Sequence, residues 1–315
     1  MSYAQFSSID ASDFNTLVGG DPTTTVNTLN AVWAIGGSAA GYGQTAIANV
    51  AAGQTVVATS WASLVNTTAN SATHQGSSIT SVSAPVAGGT ITFLSAIPTN
   101  LTTIYNNRLN AATQGTTTSN TATRATTWSN QLTFTHTATF ANGNAARFFF
   151  NSGGQLKLTF AQPTGTSMAN AYNALAAACG TLVISAPSSG TITVASTSYS
   201  GFTKIGGSGS PSPYSTNTGY YALTTSNANV FLQTTGTPAG YTTSFINVLV
   251  RSNGTQGSNG DAGSVITITT IWDEVPDGLT VTAGAATTLT AQAPETTNIG
   301  NSWGVFTLAG SVTGS

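Results

Sequence analysis

The chain has 315 residues and a mass of 31.6 kDa, enough for two domains or for one large all-β domain. Apolar residues make up 40% and aromatics 9%, which excludes a disordered polymer, yet six Lys+Arg and eight Asp+Glu amount to 4% of the chain where about 25% is ordinary. The scattered cations Arg108, Arg124, Arg147, Lys157, Lys204 and Arg251 cannot neutralise a run of phosphates, so nucleic acid and anionic membranes are excluded as partners, and the single Cys179 excludes a disulfide framework or a Cys-based zinc site.

Residues 1–115 read as short helices set in loops, a region expected to dock into an assembly. Asp21-Pro22 offers a cap with Pro in the first helical position, Val26, Leu29 and Trp33 follow at helical spacing, and Gly36-Gly37 stops the run. A second helix is predicted from a Thr59 or Ser60 cap through Trp61, Leu64 and Val65. A third follows Pro98 with Leu101, Ile104, Tyr105 and Leu109. From Gln114 to Thr127 the composition is almost pure Thr/Ser/Asn/Ala, and residues 116–127 are expected to be a linker.

Residues 128–315 change period from 3.6 to 2. Leu132, Phe134, His136, Ala138 and Phe140 alternate with threonines, which predicts a half-buried strand ending at Asn142-Gly143. Arg147-Phe148-Phe149-Phe150 reads as the next strand, turning at Asn151 to Gly154 and returning through Leu156, Leu158 and Phe160. A helix is predicted over Met168, Tyr172, Leu175 and Cys179, capped by Ser167 and closed by Gly180. Further strands are expected at 182–185, 191–195, 220–224, 230–234, 245–250, 265–272, 279–282 and 305–312. The fold class is therefore α+β, mainly β: a helical N-terminal region followed by an antiparallel β-sandwich or jelly-roll-like domain with one covering helix. No fixed repeat is present, and no stretch reaches the 18 apolar residues of a membrane span.

A monomer of this mass exposes on the order of 12,000 Å², and so few charges leave most of that area to Thr, Ser, Asn, Gln and Gly. Threonine alone is roughly a fifth of the residues, a β-branched surface that favours strands. A net charge of -2 keeps little electrostatic repulsion in reserve. The expectation is an assembled protein whose uncharged strand edges and Thr/Asn faces are paired with other subunits.

Chemistry-bearing constellations are sparse. Of the two histidines, His136 falls on the apolar register of a strand and His74 lies in a predicted loop, so neither reads as a general base; a G-x-S-x-G elbow is missing. The stretch from Gly254 to Gly263 has one carboxylate and reads as a loop. The Gly-rich run 206–210 enters Pro-Ser-Pro rather than a helix, and so is no phosphate cradle. No metal or cofactor is expected. Asp273, Glu274 and Asp277 could supply the two carboxylates that a glycosidase places about 5 to 10 Å apart, or simply form a turn. Tyr199, Phe202, Tyr214, Tyr220 and Tyr221 crowd a Gly/Ser/Pro-rich segment and are the candidate receptor-contact residues; the alternative is that they close the end of the sandwich. The tryptophans Trp33, Trp61, Trp128, Trp272 and Trp303 read as core or subunit contacts.

Trp128-Ser129-Asn130 through Phe140, followed by Asn144-Ala145-Ala146-Arg147-Phe148-Phe149-Phe150-Asn151-Ser152-Gly153-Gly154, resembles a pattern in virion structural proteins of tailed bacteriophages, particularly those with marine and cyanobacterial hosts. Asp13-Phe14-Asn15, Leu29-Asn30-Ala31-Val32-Trp33, Gly41-Tyr42-Gly43-Gln44, Trp61-Ala62-Ser63-Leu64 and His74-Gln75-Gly76 resemble the same group. The resemblance covers roughly the first half of the chain and brings no catalytic residues, and this chain carries fewer charges than the group. It implies a component of the particle without fixing its place there; the expectation is a non-enzymatic subunit of the tail, tail fibre or baseplate. Its partners would be copies of itself and other virion proteins, with a host-surface glycan or protein as receptor. Met1 to Phe14 carries Asp10 and Asp13 and no basic residue ahead of an apolar core, so synthesis in the host cytoplasm without a signal peptide is expected. A capsid decoration or fibre protein uses the same physics. A secreted glycan-binding adhesin would need an export signal, and a polysaccharide-cleaving tailspike would need Asp273 and Glu274.

Overall fold

The computed structural model describes residues 11–19, 28–35, 39–87, 91, 95–234, 243–274 and 278–314. Four helices make up the N-terminal half: α1 (Ala11–Val18), α2 (Leu29–Trp33), α3 (Ala58–Gln75) and α4 (Ala96–Asn106). Of the predicted first helix only the last turn, α2, is described; Asp21, Pro22, Val26, Gly36 and Gly37 lie outside the described residues. The second prediction falls within α3, which runs on to Gln75 and so carries His74 in its last turn rather than in a loop. Threonine is a poor helix former because its hydroxyl competes for the backbone. Here the hydroxyls bond the carbonyl one turn back, as in Thr68 to Leu64 at 2.8 Å, Thr73 to Ala69 at 2.9 Å and Thr103 to Thr99 at 3.0 Å. Gly76 closes α3 at φ +70°, where a side chain would be strained, and Ser77 N bonds back to Ala72 O at 2.8 Å.

Two five-stranded antiparallel sheets form the rest, so the mainly β, sandwich-like class holds. The first has the order β1 (Gln114–Thr123), β11 (Ala286–Pro294), β3 (Gln155–Ala161), β4 (Thr181–Ile184), β7 (Phe202–Ile205). The second has the order β12 (Thr307–Gly314), β2 (Gln131–Thr139), β10 (Val265–Asp273), β9 (Phe245–Ser252), β8 (Ala228–Thr234). A hairpin of β5 (Ile192–Val194) and β6 (Thr197–Tyr199) stands apart. The alternation in β2 buries Leu132, Phe134, His136 and Ala138, whose partners on β10 are Trp272, Thr270, Ile268 and Ile266, all buried. One face of the second sheet is thereby set inward. His136 Nε2 reaches Thr287 Oγ1 of β11 at 2.7 Å and ties one sheet to the other. β1 and β12 lie close to each other across the sandwich. Away from them α6 (Ser167–Cys179) contacts β3 on one sheet and β8 and β9 on the other, so it fills the gap where the sheets diverge. Its cap is Thr166, which accepts Ala169 N at 3.2 Å. Tyr172 of α6 stacks on Trp272 at 5.6 Å and meets Trp128 at 5.0 Å.

Four segments differ from the sequence reading. Arg147 to Phe150 is helical, within α5 (Gly143–Asn151), because Asn142 caps it by accepting Ala145 N at 2.9 Å, and all three phenyl rings are buried, so no face of the run is polar. Residues 116–123, expected as part of a linker or an extended arm, belong to the edge strand β1, and one hydrophobic core runs through the helical half and the sandwich alike. Tyr220–Ala222 is a 3-10 turn rather than a strand. Residues 279–282 make a single bridge, Val281 to Trp128, while the strand of that region is β11.

The helical half is fastened to the sandwich around residues 39–44. Asn151 Nδ2 bonds Ala40 O and Gly41 O, both at 3.0 Å, Arg108 Nε bonds Ala39 O at 2.5 Å, and Gln75 Nε2 bonds the Tyr42 hydroxyl at 2.7 Å. Gln44 makes two bonds with Gly300, 2.8 Å to its oxygen and 3.0 Å from its nitrogen. Nearby, His74 Nδ1 donates to Glu295 Oε1 at 2.8 Å, and Thr297 N and Asn298 N donate to Oε2 at 2.5 and 3.1 Å. Burial pushes the Glu295 carboxyl up, but the bonds from His74, Asn298 and Thr297 outweigh it and hold the group at about 2. Burial lowers the pKa of His136.

Two predictions follow from this packing. A Cβ on Gly43 would lie 2.3 Å from the Phe148 ring, at φ +70°, so Gly43→Ala should cost about 1–3 kcal/mol in urea unfolding. Acid should unfold the protein in two stages. Below about pH 6.5 the unfolded chain takes up a proton that buried His136 refuses; between about 4.5 and 2 the unfolded chain protonates a carboxyl that Glu295 keeps ionised when folded. In both windows the unfolded state binds more protons, so stability falls with pH. Glu295→Gln should flatten the lower window and leave the upper one, as read by melting temperature against pH.

Candidate assembly surface

The outward residues of β2 and their neighbours on β10 and β12 form an uncharged lattice rich in threonine, with Val265, Ile271 and Ala309 as its apolar members. On β2 the threonines are Thr133, Thr135, Thr137 and Thr139. Register places Thr267 beside Thr137 and Thr269 beside Thr135 on β10, and Thr307, Ser311 and Thr313 beside Thr139, Thr135 and Thr133 on β12. Each is half-buried or exposed. Strand spacing of about 4.8 Å and a same-face repeat of about 6.8 Å set the lattice dimensions. Charge enters only at its border, with Arg251 opposite Thr267 on β9 and Asp273 at the end of β10, where Gln131 Nε2 donates to it at 2.6 Å. Each site offers a methyl and a hydroxyl that can donate or accept. Another surface can cover such a lattice without desolvating an ion.

The first sheet carries a smaller hydroxyl face. Ser119 and Thr290 meet at 2.8 Å, Thr121 and Thr288 at 2.8 Å, with Lys157 and Thr159 next across β3. Partial burial lowers the Lys157 pKa, and its Nζ reaches only an amide, Gln292 Oε1, at 3.4 Å.

The sheet edges differ in cover. The outer side of β8 is occupied by the segment 212–215, through Ser212 N to Leu232 O at 2.8 Å and Leu232 N to Pro213 O at 3.0 Å. β7 is partly covered by Phe202 N to Thr216 O and by the Tyr214 hydroxyl on Lys204 N, and it carries the Lys204 charge. Among the described residues β1 and β12 each pair on one side only, and neither contains a charged residue or a proline.

Of the candidate receptor-contact residues, four are interior in the fold. Tyr220 is stacked on Phe150 at 4.3 Å with its hydroxyl donating to Gly260 O, and Tyr221 donates to Asn151 Oδ1 at 2.6 Å; burial raises both phenol pKa values. Tyr199 packs with Ile192, Val194 and Val183, and Phe202 is buried in β7. Only Tyr214 keeps substantial exposure, at 37%. Four of the five aromatics are therefore interior, and Tyr214 alone among them is at the surface.

The carboxylates also have structural partners. Glu274 is fully buried and accepts Asn130 N at 3.3 Å and Leu279 N at 3.2 Å, so Glu274 and Asp273 do not face each other across an open groove; Asp277 lies outside the described residues. The loop 254–263 is held by Gln256, which bonds Ser252 Oγ and Gly263 O, and among the described residues no group of three or more His, Cys, Asp or Glu could hold a metal. Burial pushes the Cys179 thiol up to about 12, which keeps it unreactive. The threonine lattice was present in the sequence as alternation, but its two-dimensional extent required the pairing of β12 with β2. No protein-family model, no curated protein and no solved structure matches this chain.

Proposed function

We propose that the chain is a non-enzymatic structural subunit of a tailed-phage particle, in the tail, tail fibre or baseplate, that assembles through its uncharged β surfaces. The observation that carries this reading is the threonine lattice on β12, β2 and β10, which is bordered rather than interrupted by charge. A solvent-facing sheet normally carries interspersed Lys and Glu that keep it soluble and single. This one carries hydroxyls, which a neighbouring subunit can bury at little desolvation cost. The helical half supports a docking role, since Ile35, Val57 and Val86 are 64%, 51% and 73% exposed there. The phage context comes from the motif resemblance. Those motifs fill structural positions: Tyr42, Gln75 and Asn151 hold the helical half to the sandwich.

Light scattering over a tenfold dilution series should give a fixed oligomer mass. Replacing Thr135 and Thr269 by Lys puts two like charges side by side in the lattice and should raise the concentration needed for assembly by at least about tenfold, while costing the monomer fold no more than about 1 kcal/mol. A wild-type protein that stays monomeric at every concentration would overturn the reading.

A further inference from the structure

We infer that β1 is a self-pairing edge: two copies of the chain join their first sheets by antiparallel addition of β1 to β1 about a two-fold axis, making one ten-stranded sheet. The inference rests on the assembly reading above and adds to it a contact through the edge of the first sheet. Among the described residues β1 has no charge, no proline and no covering segment; its one irregularity lies between Gln114 and Thr117, and from Thr117 on the strand is regular, with Thr117 to Ser119 exposed on both faces. β8 is covered, β7 carries Lys204, and the other open edge, β12, is interrupted by Gly310 and Gly314, which weaken a strand.

The occupant follows from the hydroxyl ladder already built on this edge. Ser119 with Thr290 and Thr121 with Thr288 are cross-strand hydroxyl pairs at 2.8 Å between β1 and β11. A second β1 running antiparallel sets Thr117, Ser119 and Thr121 against the same three side chains in reverse order, so the ladder continues one strand further. No charge is buried and no backbone donor on the joined edges is left without a partner. A strand bearing Lys or Glu would instead break this row.

The two-fold axis makes the test sharp. Only the residue on the axis lies directly opposite its own copy, with Cα atoms about 4.5–5.5 Å apart, within the range of a disulfide; one residue away the copies are about 8 Å apart, beyond it. Single cysteines placed in turn from 117 to 121, with Cys179 buried and silent, should therefore give an oxidised dimer maximal at one position and falling on both sides. A matching scan over 309–313 serves as the control edge, and melting temperatures show that each variant folds. A fixed oligomer by light scattering with no maximum in 117–121, or with the maximum on 309–313, overturns the β1 contact and leaves the assembly reading standing. A monomer that cross-links nowhere overturns both.

Discussion

Side-chain amides do in this fold what ion pairs and extra strands do elsewhere. Asn15 bonds both the nitrogen and the oxygen of Val50, Asn30 both groups of Ile47, and Asn100 both groups of Thr80, each at 2.8–3.0 Å. Gln44 with Gly300 and Gln256 with Gly263 repeat the arrangement. Each is a two-bond unit in which an amide stands in for one step of a β-ladder. The extended segments around 44–50 and 77–82 belong to no sheet, so their backbone groups need these partners. At roughly 0.5–1.5 kcal/mol net per bond, each clamp contributes about 1–3 kcal/mol. A chain with 4% charged residues has few other ways to fix irregular backbone against helices.

The same economy explains why the helical half and the sandwich form one body. The contacts of residues 39–44 come from α3, α5, the segment after α4 and the segment after β11, which are far apart in sequence. His74 and Glu295 supply the one ion-pair contact found among the described residues, and it too joins the two halves. Gly43 sits against Phe148 so closely that a side chain has no room, which places the loop on α5 as tightly as any hydrogen bond. Residues 40–43, Gln75, Phe148 and Asn151 are therefore mutually contacting parts of one junction.

Elements with a single buried face were legible in the sequence. β2, β9 and β10 alternate cleanly because one side is core, and α6 shows its helical stripe with a glycine at its end. β1 was hidden because most of it is exposed on both faces, so it has no alternation; the β-branched threonines were its only signal. α5 was hidden for the opposite reason, since Phe148, Phe149 and Phe150 are all buried and an apolar run does not declare its period. β11 escaped because alanine carries its inward face at Ala291 and Ala293. The aromatics at 199–221 lie in a Gly/Ser/Pro-rich segment that suggests exposure. The burial of Tyr220 and Tyr221 depends on Phe150 and Asn151, partners 70 residues away in the chain that no local pattern reveals.

An amide clamp has a property that an ion pair lacks. The attraction between opposite charges near a surface fades as dissolved salt shortens the Debye length, from about 30 Å at 0.01 M to about 3 Å at 1 M. A bond between a carboxamide and a peptide group carries no net charge and is not screened in this way. With its irregular segments held by Asn15, Asn30, Gln44, Asn100 and Gln256, the fold is nearly indifferent to ionic strength. The same clamps hold these segments in place from fresh water to brine.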